Sequence, residues 1–141
     1  MEINTSKSTH NILVSRFFHK YQTLGHVLEQ SIYRQADALS DEYTGGHWYI
    51  QKHPEANAFW FCLDSDKEFT VHAPNGNEVV ADNIVFSAAV NMFIYNGLIW
   101  KLYEQENKAQ ALVSDDYYRL RDLFYDNLSE RDASKLFKIV D

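Results

Sequence analysis

Residues 45–63 read GGHWYIQKHPEANAFWFCL, and within them the texture of the chain changes. Before Gly45-Gly46 the apolar residues recur at helical spacing: Leu24, Leu28, Ile32, Ala36 and Leu39 lie four, four, four and three apart, which predicts a helix over 24–39 with Thr23 as its N-cap. Ahead of it Ile12, Leu13, Val14, Phe17, Phe18 and Tyr21 fit a shorter helix with one apolar stripe. After the glycines, aromatic and β-branched residues crowd into runs at 47–52, 58–63 and 68–73. The runs are separated by His53-Pro54-Glu55-Ala56-Asn57 and Asp64-Ser65-Asp66-Lys67, both turn-rich. Such short connections join antiparallel neighbours, so the expectation is a three-stranded meander, with 77–81 as a candidate fourth strand after Pro74-Asn75-Gly76. In the second run Phe59, Phe61 and Leu63 share one face while Ala58, Trp60 and Cys62 share the other. Neither face is polar, which predicts a central strand covered on both sides.

The C-terminal half supplies the cover. Residues 83–104 are apolar nearly all round, from Ile84 to Leu102 and including Trp100, so this helix is assigned to the interior, with Gly97 as a candidate break. Ser114-Asp115-Asp116 reads as the cap and first-turn acids of a helix carrying Tyr117, Leu120, Leu123 and Phe124. Ser129, with Glu130 and Asp132 behind it, starts another that leads into Leu136, Phe137 and Val140. Helices around one small antiparallel sheet make the expected class α+β, as a single domain over 1–141 with residues 1–10 as a polar flexible arm.

Composition excludes several functions. The chain has 141 residues, 45% hydrophobic and 15% aromatic, enough for a ring-rich core. Its net charge of -7 opposes the phosphate backbone, so direct DNA binding is not expected. No run of 18 apolar residues and no signal-like segment is visible, and the single cysteine, Cys62, has no partner for a disulfide; the chain reads as cytoplasmic and unattached to membrane. Of the six histidines, His47 and His53 stand six residues apart, about 20 Å along a straight strand, too far to share an ion. No metal site and no cofactor is expected. Cys62 sits in an aromatic run, where a thiol is usually inert packing, and no nucleophile-elbow signature occurs. Asp64/Asp66 and Asp115/Asp116 are read as turn and helix-start residues rather than acid–base pairs. A small hydrolase or nucleotide-handling enzyme remains the alternative. It requires at least two of His47, His72, Asp64 and Asp66 to converge in one pocket.

The stretch Leu39-Ser40-Asp41-Glu42-Tyr43-Thr44-Gly45-Gly46-His47-Trp48-Tyr49 closely resembles the segment that opens the sheet in antirestriction proteins of the ArdB/KlcA type. The likeness continues through Ala58-Phe59-Trp60-Phe61, Ser87-Ala88-Ala89 and Tyr118-Arg119-Leu120-Arg121-Asp122-Leu123, and spans about residues 20–126. Asn57-Ala58 stands where that family usually carries glycine. The resemblance implies a compact α+β fold and a non-enzymatic role, relieving restriction of incoming plasmid or other mobile DNA by type I restriction–modification systems while sparing methylation. It implies the restriction–modification machinery or an associated host protein as partner. It also implies no acidic mimicry of DNA, which agrees with 20 acids interspersed among 13 bases. Tyr43, Gly45, Gly46, Trp48 and Tyr49 form the candidate interaction surface. The glycines serve either a positive-φ turn and close approach to Trp48 or a contact patch, and the placing of the aromatics in strands favours the structural use.

Overall fold

The structure is a computed structural model that describes residues 10–141; residues 1–9 of the expected arm lie outside the described residues. Helix α1 (His10–Tyr21) is followed at once by α2 (Thr23–Leu39). Thr23 is not the N-cap: Gln22 takes that place with φ 53, a left-handed kink in which its N–H bonds Phe18 O at 2.8 Å. Strands β1 (Trp48–Lys52), β2 (Phe59–Leu63), β3 (Phe69–His72) and β4 (Glu78–Ala81) come next, then α3 (Asn83–Glu104), α4 (Gln110–Asn127) and α5 (Glu130–Val140). The class is α+β.

The strands form two separate two-stranded antiparallel hairpins, not the expected three-stranded meander. In the first, Trp48 pairs Leu63 and Lys52 pairs Phe59; in the second, Phe69 pairs Ala81 and His72 pairs Glu78. The reason lies in α3. The first hairpin's bonds run through His53 N to Ala58 O and Asp64 N to His47 O, so the alternate residues Phe59, Phe61 and Leu63 turn their backbone groups outward. Polar side chains of α3 take those groups. Asn83 Nδ2 donates to Leu63 O (3.0 Å), and Leu63 N donates to Ser87 Oγ (2.9 Å). Asn91 accepts from Phe61 N (2.8 Å) and donates to Phe61 O (2.7 Å), while the Tyr95 hydroxyl donates to Phe59 O. Four residues of helix rise about 6 Å and two residues of strand about 6.6 Å, so a polar stripe at spacing four matches the outward groups of a strand. The edge that a third strand would need is already satisfied. On the other hairpin Thr70 N donates to Glu42 Oε1 at 2.7 Å, which occupies an outward group of β3 and holds the Glu42 carboxyl below its ordinary value.

Strand β2 is buried along its whole length, as expected from its two apolar faces. Phe17 of α1 packs edge-on against Phe59 and Phe61, and Phe124 of α4 packs edge-on against Trp60. Phe86 of α3 stacks on Phe69 at 4.5 Å and also meets Tyr43 and Trp48, so one ring ties α3 to both hairpins. Gly97 does not break α3, which runs unbroken from Asn83, capped by the Asp82 carboxylate on Val85 N (2.9 Å). Among the described residues α3 is a helix long and apolar enough to cross a membrane, yet most of it is buried in this core. Helix α5 starts as expected, with Ser129 Oγ accepting from Asp132 N, and Asn75 and Asn77 of the β3–β4 turn both donate to Lys138 O.

Two sequence assignments are corrected here. Helix α4 begins at Gln110, a turn before Ser114, behind Asn107, whose side chain accepts from Ala109 N. Asp116 is therefore no first-turn acid. It is fully buried, accepting from the Tyr21 hydroxyl and from Arg119 Nη1 (2.9 Å) and pairing with Lys20 Nζ at 2.6 Å. Trp100, assigned to the interior, is instead 60% exposed: in the last turns of α3 Leu98 and Leu102 take the buried side, and Trp100 stands on the other.

Candidate functional site

The turn that opens the first hairpin is built from the inside. Ser40 is buried after α2, its carbonyl accepting from Tyr43 N and its hydroxyl from Glu42 N. Tyr43 consequently turns inward, and Trp48 Nε1 donates to its hydroxyl at 3.0 Å. Both rings are only 7% exposed. Burial chiefly lifts the Tyr43 phenol above its ordinary value, against the opposing effect of the Trp48 donor. Of the five candidate residues, then, Tyr43 and Trp48 face the core, Tyr49 is half-buried, and Gly45 and Gly46 lie exposed.

The two glycines differ. Both have positive φ, 100 for Gly45 and 143 for Gly46. A Cβ on Gly45 would meet open space, whereas one on Gly46 would stand 3.0 Å from Leu63 Cδ1. We expect Gly46→Ala to cost about 2 kcal/mol, backbone strain plus crowding, and Gly45→Ala about 1 kcal/mol from strain alone. Equal losses in denaturant unfolding would show that the approach to Leu63 is not what selects glycine.

Beside the turn, His47 and Tyr49 rings meet at 4.3 Å, and the Tyr49 hydroxyl donates to Asp64 Oδ2 at 3.3 Å. Two of the four residues named for catalysis, His47 and Asp64, thus come close across the mouth of the hairpin. His72 is on the other hairpin, 4.0 Å from Glu78, and Asp66 lies exposed in the loop between hairpins. A cleft of about 280 Å³ borders the site, walled by Val14, Glu29, Tyr33, His47, Trp48 and Phe61; Asp64 does not line it. Among the described residues no three of His, Cys, Asp and Glu group as metal ligands would.

Cys62 is buried, and burial pushes its thiol up to about 12. Burial likewise raises the phenols of Tyr21 and Tyr95. These groups are acids whose folded value exceeds the unfolded one, so their contribution to stability is complete below about pH 9 and is lost as pH rises from there toward 12. The native chain is expected to resist a thiol reagent at about pH 8 and to react on unfolding. Its denaturant midpoint should fall between about pH 9 and pH 11; a flat midpoint, or fast native labelling, would place the thiol in water.

Sequence reasoning missed a second feature. Trp100, Tyr103 and Tyr118 stand exposed on the outer side of α3 and α4, beside half-buried Ile99 and Tyr117. The signal was present in the polar residues Asn96, Gln110 and Ser114 that accompany them at helical spacing.

No protein-family model matches the chain, and no curated protein matches it. A solved structure does: the chain superposes with a TM-score of 0.78 over 99% of its length and 93% of the other's, at 16% sequence identity. The chain has the KlcA/ArdB fold. That structure is from work on the KlcA and ArdB proteins, which describes a novel fold and antirestriction activity against Type I DNA restriction systems in vivo but not in vitro. In this chain the KlcA/ArdB fold carries the Gly-Gly turn at the entry to its first hairpin, within the stretch 39–49 that carries the sequence resemblance.

Proposed function

We propose that this chain is an antirestriction protein of the ArdB/KlcA type, relieving cleavage of incoming DNA by type I restriction–modification systems through binding rather than catalysis, in the cytoplasm and with methylation spared. The observation that carries the reading is the shared fold over nearly the full length of both chains. Three features support a non-catalytic route. The thiol is buried and hard to ionise. Of the four His and Asp residues suited to acid–base work, His72 and Asp66 stand apart, and of the two that come close, His47 and Asp64, only His47 lines the neighbouring cleft. The acidic surface disfavours contact with DNA itself, so the partner is the restriction–modification machinery or a host protein associated with it. Activity of the KlcA and ArdB proteins in vivo but not in vitro favours a partner that only the cell supplies.

The test is the plating efficiency of unmodified phage on cells carrying a type I system, with and without the chain, scored with methylation of the surviving phage DNA. Plating is expected to rise clearly above that of cells without the chain, with methylation unchanged. Folded protein that leaves plating where it was would remove the reading for that system. Asp64→Asn combined with His47→Ala, the two that come close, should keep the relief; its loss would favour a hydrolytic reading.

A further inference from the structure

The outer face of α3 and α4 is unlike the rest of this acidic chain. A cleft of about 430 Å³ lies there, lined by Asn96, Ile99, Trp100, Tyr103, Gln110, Ser114, Tyr117 and Tyr118, none of them charged. Trp100, Tyr103 and Tyr118 are 60%, 61% and 54% exposed. Their rings are steadied edge-to-face, Trp100 on Tyr103 at 6.0 Å and Tyr117 on Tyr118 at 5.2 Å, so little freedom is left to lose on docking. Uncharged centres rich in Trp and Tyr are the composition of protein interface cores. Nucleic-acid stacking platforms, by contrast, set their rings in a positive groove.

From this face we infer that the chain pairs with a second copy of itself through α3 and α4. Charge points to that occupant. Of the exposed residues within four positions of this lining, four are cations, Lys101, Lys108, Arg119 and Arg121, and four are carboxylates, Glu104, Glu106, Asp115 and Asp122, so the local balance is zero on a chain of net charge -7. Two such chains repel at long range, but meeting here sets a balanced rim against a balanced rim. Shape points the same way. A two-fold contact needs one patch to be its own complement, and this patch carries a protruding ring, Trp100, next to a cleft able to take one. The three exposed rings offer roughly 350 Å² per copy, about half of the 800 Å² per partner in a standard interface, the flanks supplying the rest. Such an interface holds a reversible dimer of about micromolar affinity.

Sedimentation of the full chain from about 1 to 200 µM tests this. The mass should rise from one chain toward two and stop there. Trp100→Ala and Tyr118→Ala should each weaken pairing by at least about tenfold while melting stays unchanged, since both side chains are mostly exposed. Tyr33→Ala, an equally exposed ring on α2, should leave the mass curve as it is. A single-chain mass throughout would overturn the inference and leave the face to a different protein. So would pairing that survives both aromatic truncations, pairing abolished by Tyr33→Ala, or growth beyond two chains.

Discussion

Asn91→Leu is expected to lower the melting temperature by about 10–20 °C. The Asn91 amide serves Phe61 at both of its outward backbone groups, accepting at 2.8 Å and donating at 2.7 Å, and both residues are buried. Leucine fills nearly the same volume but offers neither function. Two backbone groups are then left in the core without water, at about 1–3 kcal/mol each, or roughly 4 kcal/mol together. A domain of this length loses about 3–5 °C per kcal/mol. The loss also uncovers the edge of β2, so the variant should aggregate more readily as it opens. Gln30→Leu, an exposed amide on α2, is the control and should change stability by no more than about 0.5 kcal/mol. If calorimetry finds Asn91→Leu within a few degrees of the parent, the helix side chains are not what closes this strand.

The same stripe explains what could and could not be read from residues alone. Each strand was legible, because alternation and turn residues are local properties and β2 advertises two apolar faces. Their grouping was not. A hairpin's outer edge accepts a strand or anything else with donors and acceptors at a matching repeat, and α3 supplies Asn83, Ser87, Asn91 and Tyr95 at spacing four. In a helix otherwise apolar all round, that row is itself a signal that a line of buried backbone groups lies opposite. Trp100 was placed in the core because a helix apolar nearly all round does not say which side is left open, and here Leu98 and Leu102 take the buried side. At the Gly-Gly turn the named residues divide between core and surface according to a contact with Leu63 and a hydrogen bond between Trp48 and Tyr43 that only the folded chain brings together.

Asp116 was hidden by a different ambiguity. Ser114-Asp115-Asp116 has the look of a helix start, yet Val113, Asp116, Leu120 and Leu123 lie three or four apart and share the buried face of α4. A carboxylate on that face has to be paired, and it is: Lys20 and Tyr21 reach it from α1, Arg119 from its own helix, and Lys20 goes on to donate to Asn57 O in the β1–β2 turn. One buried anion therefore fixes α1 against α4 and the hairpin. Asp116→Leu is expected to cost about 3–5 kcal/mol, because the Lys20 ammonium, 12% exposed, loses its counter-ion. Most of that cost is the stranded partner rather than the worth of the pair, so removing both charges should undo it. Lys20→Met combined with Asp116→Leu is expected to unfold within about 2 kcal/mol of the parent, a coupling of at least 1 kcal/mol in a double-mutant cycle. Arg119 is half-exposed and turns to solvent, and the Tyr21 hydroxyl, released from the carboxylate, turns its proton to the neighbouring Tyr95 oxygen. Denaturant unfolding of the four proteins decides it. Additive losses would mean that Lys20 and Asp116 each answer to other partners, and α1 would then be held by its apolar packing, Phe17 on Phe59 and Phe61 and Leu13, Val14 and Phe18 beside it.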